Sequence, residues 1–298
     1  MASLTERSGV LGPHLAAHLL RRTTYNFDKK TIDQFGVKTA AEAVDELFAP
    51  FTPSMDEPID WETMEPWINS GVPPVSSDGR LKGYIIGWWL NEARTKSTIH
   101  SKMMFFLHSN FIIHADARSN VYLFDNLELI RLYSTGSFKE LALKMTNDNM
   151  MMEYLDNAYN TKWNPNENYA REFLELFTIG KGPQIGEGDY TNYTEEDVAE
   201  AAKLLTGWRF GLRGVDLDPD TGLTAGIPDF VRHDVTTKTF SHAFNNTEIL
   251  PAVDESDMIR ELSEFVDMVF AQEETARFII RKIYRFFVSR HITEEIEN

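Results

Sequence analysis

Cysteine is absent from the 298 residues. That excludes disulfides, thiolate nucleophiles and cysteine-based zinc or iron–sulfur sites, and it leaves the compartment open. Positive charge is scarce: Lys and Arg number 29 against 46 Asp and Glu, a net charge of -17. Such a field repels phosphate backbones and anionic lipid, so neither nucleic acid nor a membrane surface is expected as the main partner. Long apolar runs are missing too. The longest, Met103 to Leu107, is far too short to span a bilayer. The first twenty residues carry charges and two histidines and do not read as a signal peptide, so the expected location is cytoplasmic by default. Alternating strand patterns are few, and no Gly/Ser linker, internal repeat or low-complexity tract interrupts the chain.

What remains is a globular, helical sequence. Hydrophobic residues at 42% and aromatics at 12% supply a sizeable core. Thr39–Glu42, Ser137–Glu140, Asn164–Glu167 and Thr194–Asp197 each set an N-cap oxygen three residues before a carboxylate, a helix-start signal. Apolar residues recur at helical spacing, as in Met258, Leu262, Phe265, Val266 and Val269. The expected fold is all-α, a single multi-helix domain over 1–298. Two long irregular loops break it, at about 49–80 (six prolines) and 207–254 (rich in Gly, Asp, Thr and Phe).

NPNENYAREFLELFTIG, residues 164–180, is the most two-faced segment. Asn164 as N-cap, Pro165 at the first position and Glu167 at the third predict the start, and Gly180 the stop. At about 100° per residue, Glu167, Arg171 and Glu175 form an i, i+4, i+8 ladder, with Glu172 at its margin. Tyr169, Ala170, Phe173, Leu174, Leu176 and Phe177 take the opposite arc. The charged stripe is either a solvated salt-bridge ladder or, if it lines a cleft, an acid–base site built on Glu167, Glu172 and Glu175. With no histidine on this helix, a di-metal bundle site is disfavoured.

Histidines give further candidates. His233-Asp234 with Lys238 lies in the second loop; it fits an acid–base pair or an exposed histidine beside a turn-capping Asp. Ser97, His100, Ser101, Met104 and His108 share one helical stripe, but His100 and His108 are about 12 Å apart by helical rise, too far for one ion. His14 and His18 have i, i+4 spacing without the intervening glutamate of a zinc protease. No Gly-x-Ser-x-Gly is present. Arg277, Arg281 and Arg285 form a second ladder; this ladder, or Arg21 and Arg22, is expected to meet the glutamate ladder. No metal site or cofactor is identified.

The Asn164–Gly180 segment, Tyr193-Thr-Glu-Glu-Asp-Val, Leu205-Thr-Gly-Trp208, Leu19-Leu-Arg-Arg-Thr23, Leu155-Asp-Asn157 and His233-Asp234 with Lys238 together resemble the bacterial domain-of-unknown-function 1800 (DUF1800) family. The resemblance covers nearly the whole chain and implies no established activity. Members are often encoded beside proteins that look like exported sulfatases or phosphatases, which implies an accessory role with such a partner or in surface-polymer handling. The alternative is an acid–base or metal-assisted hydrolase using Glu167, Glu172, Glu175, His233 and Asp234. On either reading Asn166, Asn168, Arg171, His108 and Lys238 are candidates for binding. Two departures stand out. The family pattern Phe-Trp-His-Asn-His-Phe reads Phe106-Leu-His-Ser-Asn-Phe111 here, leaving His108 and replacing the second histidine by Asn110, a poor ligand for a transition metal. The family domain also runs beyond Phe286-Phe-Val288, so its C-terminal part is expected to be lacking.

Overall fold

The computed structural model describes residues 7–50, 57–69, 73–95, 98–114 and 119–297; Ser97 and parts of the first long loop lie outside them. The fold is mostly helical, with only short paired strands. The chain divides into two compact units.

The first unit comprises Met1–Ser109, Ile130–Thr135 and Arg281–Asn298. Its helices are α1 (Gly12–Thr23), α2 (Lys29–Gly36), α3 (Ala40–Leu47), α4 (Asp78–Thr95) and most of α5 (His100–Asn110). Ala16, Leu20, Phe35, Ala43, Leu47 and Ile99 close its core. The Thr39–Glu42 capping box forms as expected. A two-residue hairpin, β1 (Ile59–Asp60) with β2 (Glu65–Pro66), punctuates the proline-rich loop.

The second unit comprises Asn110–Leu129 and Gly136–Ile280. It holds most of α6 (Asn120–Leu132), then α7 (Phe138–Thr146), α8 (Asn149–Tyr154), α9 (Asn168–Glu172), α10 (Glu195–Leu204), α11 (Glu255–Phe270) and the start of α12 (Glu273–Phe287). A last turn, α13 (Glu294–Glu297), belongs to the first unit. Three strand pairs bind the connections: β3 (Gln184–Gly186) with β4 (Asp189–Tyr190), β5 (Trp208–Arg209) with β6 (Ile227–Pro228), and β7 (Lys238–Thr239) with β8 (Glu248–Ile249). The second long loop is therefore two short strand pairs with irregular turns. Phe173 packs on Phe265 at 5.2 Å between ring centres and Phe240 on Phe265 at 5.8 Å. Thr194 forms its reciprocal box with Asp197, and Met258, Leu262, Phe265, Val266 and Val269 are buried along α11.

The 164–180 segment departs from its predicted start. Helix α9 begins at Asn168, and Asn164 instead pairs with Thr161 in a turn. Asn160 Oδ1 accepts the Asn166 N–H and holds that turn, while Asn166 Oδ1 accepts the Asn168 N–H in an Asx turn that leads into the helix; the N-cap position falls to Glu167, which makes no side-chain cap bond. Phe173–Phe177 continue as a π-helical turn. The wider i→i+5 turn swings Leu176 out to 49% exposure, against its expected burial. The carbonyls it frees are collected locally: Thr178 Oγ1 donates to Phe173 O, the Gly180 N–H to Leu174 O, and Asn110 Nδ2 to Phe177 O. Asn110 is a backbone prop here. The rest of the apolar face, Tyr169, Ala170, Phe173, Leu174 and Phe177, is buried, and Gly180 ends the segment with φ +75°.

Candidate functional site

The glutamates of α9 and its π-turn are spread along a half-exposed face. Arg171 pairs with Glu195 at 2.6 Å and with Glu167 at 3.0 Å. Glu175 accepts from Tyr193 Oη at 3.0 Å and faces Lys181 at 3.4 Å. Burial raises the Glu172 carboxyl, and neighbouring Glu175 adds to the rise. The expected arginine ladder finds other carboxylates: Arg277 pairs with Glu273 and Arg281 with Glu297. Arg22 donates to the Val288 carbonyl. Asn168 Nδ2 approaches Leu155 O at 3.4 Å.

His233, Asp234 and Lys238 do come together, around a glutamate that sequence spacing did not reveal. His233, Lys238 and Glu261 are all wholly buried. His233 Nε2 lies 2.9 Å from Glu261 Oε2, and Lys238 Nζ donates to both carboxylate oxygens at 3.1 and 3.2 Å and to Asp234 O at 2.5 Å. The Ala252 N–H donates to Glu261 Oε1 at 2.6 Å. Asp234 caps its own turn through Thr236; burial opposes its ionisation, but the Thr236 bonds win and hold it below the usual range. The Leu205-Thr-Gly-Trp208 motif is the other half of this clasp. Thr206 accepts the Asp234 N–H on its hydroxyl, and its carbonyl lies 2.8 Å from His233 Nδ1. Gly207 has φ +81°, and a Cβ there would sit 2.7 Å from Asp229 O, so only glycine fits. His233 is thus neither solvent-exposed nor set against the helix carboxylates. Among the described residues, no hydrogen bond or ion pair joins Glu167, Glu172 or Glu175 to His233 or Asp234.

In the first unit, His100 Nδ1 meets Ser134 Oγ at 2.8 Å and Nε2 meets Ala49 O at 3.3 Å. His108 packs its ring on Trp89 at 5.3 Å, and burial lowers its pKa. His14 and His18 are exposed on α1. Among the described residues no cluster of three or more His, Asp and Glu side chains suited to a metal ion occurs.

The chemistry that the structure does assemble lies elsewhere in the second unit. Asp148, the N-cap of α8, accepts from the Met151 N–H at 2.8 Å and from Asn126 Nδ2 at 2.9 Å. Despite these bonds, burial pushes its carboxyl up to about 7, and the charge of nearby Asp125 contributes. Asp125, on α6, is pushed up by burial to about 6, against the pull of the Thr224 hydroxyl and Arg213. Both are under 8% exposed, and Asp125 Oδ2 has no hydrogen-bond partner among the described residues. The two carboxyls line one small cavity with Lys144, Asn147 and Thr224; its volume of about 10 Å³ suits one water molecule. Asn147 Oδ1 on its wall is also unpartnered.

That cavity adjoins a cleft of about 570 Å³, the two sharing Lys144, Asn147, Asp218 and Ala225. The volume is in the range of small-molecule sites. Apolar walls come from Trp208, Leu217, Pro219, Pro228, Ile259 and Leu262, and polar groups from Asp216, Asp220 and Ser263. Lys144 Nζ clamps Asp218 at 2.5 Å and Asp220 at 2.6 Å. Burial opposes ionisation of Asp218, but the bonds from Lys144 and Thr221 together outweigh it and lower the pKa. The strap carrying these aspartates is fixed by Gly226 N–H to Asn147 O and by Asn149, which bonds both backbone groups of Gly211. A Cβ at Gly226 would lie 2.6 Å from Met152.

Sequence reading missed Asp125, Asp148, Asn147 and Lys144. A signal existed in α6: a run that is apolar almost all round yet holds Asp125, Asn126, Glu128 and Arg131 must bury charge, and all four are buried.

A family model described as protein of unknown function (DUF1800) matches residues 18–298, and the chain belongs to that family. Comparison with curated proteins returns no match, and comparison with solved structures returns none. Among the described residues no helix is long and apolar enough to cross a membrane.

Proposed function

We propose that this DUF1800 member is a hydrolase whose acid–base pair is Asp148 and Asp125, acting as one domain across the matched span. The observation that carries the reading is the pair of buried carboxyls, Asp125 and Asp148, lining one water-sized cavity beside a small-molecule cleft, with Asp125 Oδ2 unpartnered among the described residues. With carboxyls at about 7 and about 6, one proton is shared near neutrality, so the pair offers an acid and a base together. A water in the cavity that Asp125, Asn147 and Asp148 line is held for attack. As its oxygen bonds to the substrate's electrophilic atom, Asp125 takes the water proton and Asp148 gives its own to the leaving atom. The bond to the leaving group breaks, and passage of a proton from Asp125 to Asp148 restores the starting state. The Asn-Glu-Asn helix and the His–Asp loop then serve to hold the scaffold.

Turnover of a panel of chromogenic glycosides, esters and amides by the wild type, Asp125→Asn and Asp148→Asn tests this. A rate optimum between about pH 6 and 7, with a loss of roughly 10²–10⁴-fold in either variant, is expected. Equal rates in all three proteins would refute the assignment.

A second reading, an accessory role beside an exported sulfatase- or phosphatase-like partner, is favoured by one feature. Trp163 and Val231 are 67% and 70% exposed on neighbouring segments joined by the Lys162 N–H to Arg232 O bond, and offer two apolar points of contact to a partner.

A further inference from the structure

The cavity that holds the acid pair has walls of two origins. Asp125, Lys144 and Asp148 line it from α6, α7 and the start of α8, while Asp218, Leu223 and Thr224 line it from the strap, residues 211–226. At about 10 Å³ the space suits one water molecule, so no substrate reaches the two carboxyls while the strap is shut. The strap also lines the cleft of about 570 Å³, through Asp216, Leu217 and Gly226 among others. It is a wall common to both spaces.

The strap is put together as a flap. Its ends meet: a Cβ on Gly211 would overlap Ala225 O, the closed-ended form of an Ω-loop. Asn149 bonds both backbone groups of Gly211, and the Gly226 N–H donates to Asn147 O, so both ends are pinned. Between them the backbone bonds to itself, Asp218 N–H to Leu223 O, Gly222 N–H to Asp218 O and Ala225 N–H to Asp216 O. Those bonds survive if the flap swings as one piece. Its apolar side chains give little anchorage, since Leu212, Val215 and Leu217 are exposed, and an element that buries few apolar groups opens at low cost. Two polar links oppose the swing. Lys144 Nζ holds Asp218 at 2.5 Å and Asp220 at 2.6 Å, and Thr224 bonds Asp125 through its hydroxyl and its N–H.

We infer that the strap is a lid over the acid pair, hinged at its pinned ends and latched by Lys144, and that lifting it joins the small cavity to the cleft. The inference rests on the proposed hydrolase reading for what the lid controls, the admission of substrate, and not for the motion itself. The chain has no cysteine, so one introduced thiol reports the motion. Thr224→Cys places it at a buried strap position, where N-ethylmaleimide reaches it when the strap lifts. Labelling should run at least about a hundredfold slower than that of a free thiol. Adding Lys144→Met, which keeps the alkyl stem and removes the charged hydrogen bonds, should speed labelling about tenfold. Adding Asp220→Asn, a milder change at a side chain 70% exposed, should speed it about threefold. Ala202→Cys, buried on α10 outside the strap, is the control for general loosening, and Lys144→Met should leave its labelling unchanged. A Thr224→Cys rate equal to that of a free thiol, no acceleration by Lys144→Met or Asp220→Asn, or equal acceleration at Ala202→Cys overturns the lid. These outcomes separate from the catalytic test: acceleration confined to the strap with undiminished Asp148→Asn turnover keeps the lid and removes the catalyst beneath it, and turnover lost in Asp148→Asn without acceleration keeps the catalyst and removes the lid.

Discussion

Glu261 and Asp148 are both shielded from water in the second unit, and the atoms around them could hardly differ more. Glu261 is saturated: Lys238 and the Ala252 N–H donate to it, and the His233 ring nitrogen stands 2.9 Å away. Asp148 has only neutral donors, Asn126 and the Met150 and Met151 N–H groups, and a second carboxyl for a neighbour, and burial wins, raising it to about 7. In the first unit Asp60 repeats the saturated pattern. Burial raises it, but Ser76 Oγ and the N–H groups of Glu62, Val75 and Ser76 overcome that and hold it at about 2. Donor supply, more than depth, separates a carboxylate that fastens a fold from one that is kept ready to exchange a proton.

The contrast breaks most visibly at Glu261. Glu261→Gln keeps the shape and removes the charge, leaving the buried Lys238 ammonium with a carbonyl and an amide. Loss of one partner from a buried ion pair costs about 3–5 kcal/mol, so urea unfolding should show the largest destabilisation of the set. A loss within about 1 kcal/mol would mean that the 206–261 clasp is held by its backbone bonds instead.

Asp148→Asn should move stability the other way. The folded carboxyl sits above the ordinary aspartate value of 3.8, so its contribution is fully present below about pH 4 and lost as pH rises through about 7. Asparagine is as good an N-cap and keeps an acceptor for the Met151 N–H. The variant should therefore match the wild type or fall slightly below it at pH 4, and exceed it by on the order of 2–4 kcal/mol at pH 8. Urea midpoints at the two pH values check this. A flat difference between them would show that burial does not load Asp148. Gained stability with lost turnover would mark the carboxyl as kept for chemistry.

Much of the scaffold was legible in the residues themselves. Thr39, Ser137 and Thr194 cap their helices, because a cap is a local device whose partners lie three residues away. Asn164 failed for the opposite reason: Asn160 Oδ1 and the Thr161 bridge, outside the capping window, hold residues 164–166 in a turn. The site was hidden by the same logic. Asp125, Asp148 and Asp218 come from α6, the start of α8 and a strap, and their meaning depends on Lys144 and Thr224 standing between them, which no spacing rule connects. The motifs most visible in sequence, Leu205–Trp208 and His233–Lys238, largely build the clasp, with Trp208 alone reaching the cleft.

The smallest effect is expected where the sequence looked most chemical. Arg171 holds Glu195 through two bonds, at 2.9 and 2.6 Å, and Glu167 at 3.0 Å. Its side chain and both carboxylates stay about a third or more exposed. Water already stabilises these charges, so the bridges add little. Arg171→Met retains the alkyl stem and should cost about 1 kcal/mol or less, with most of that gone at 1 M salt, where the Debye length is about 3 Å. Urea unfolding at low and high salt measures the stability, and turnover on the same chromogenic panel should not change. A loss of 3 kcal/mol or more, persisting in salt, would require the stripe to be far drier than its exposure indicates. A hundredfold fall in turnover at unchanged stability would move the chemistry back to the Asn-Glu-Asn helix and away from Asp125 and Asp148.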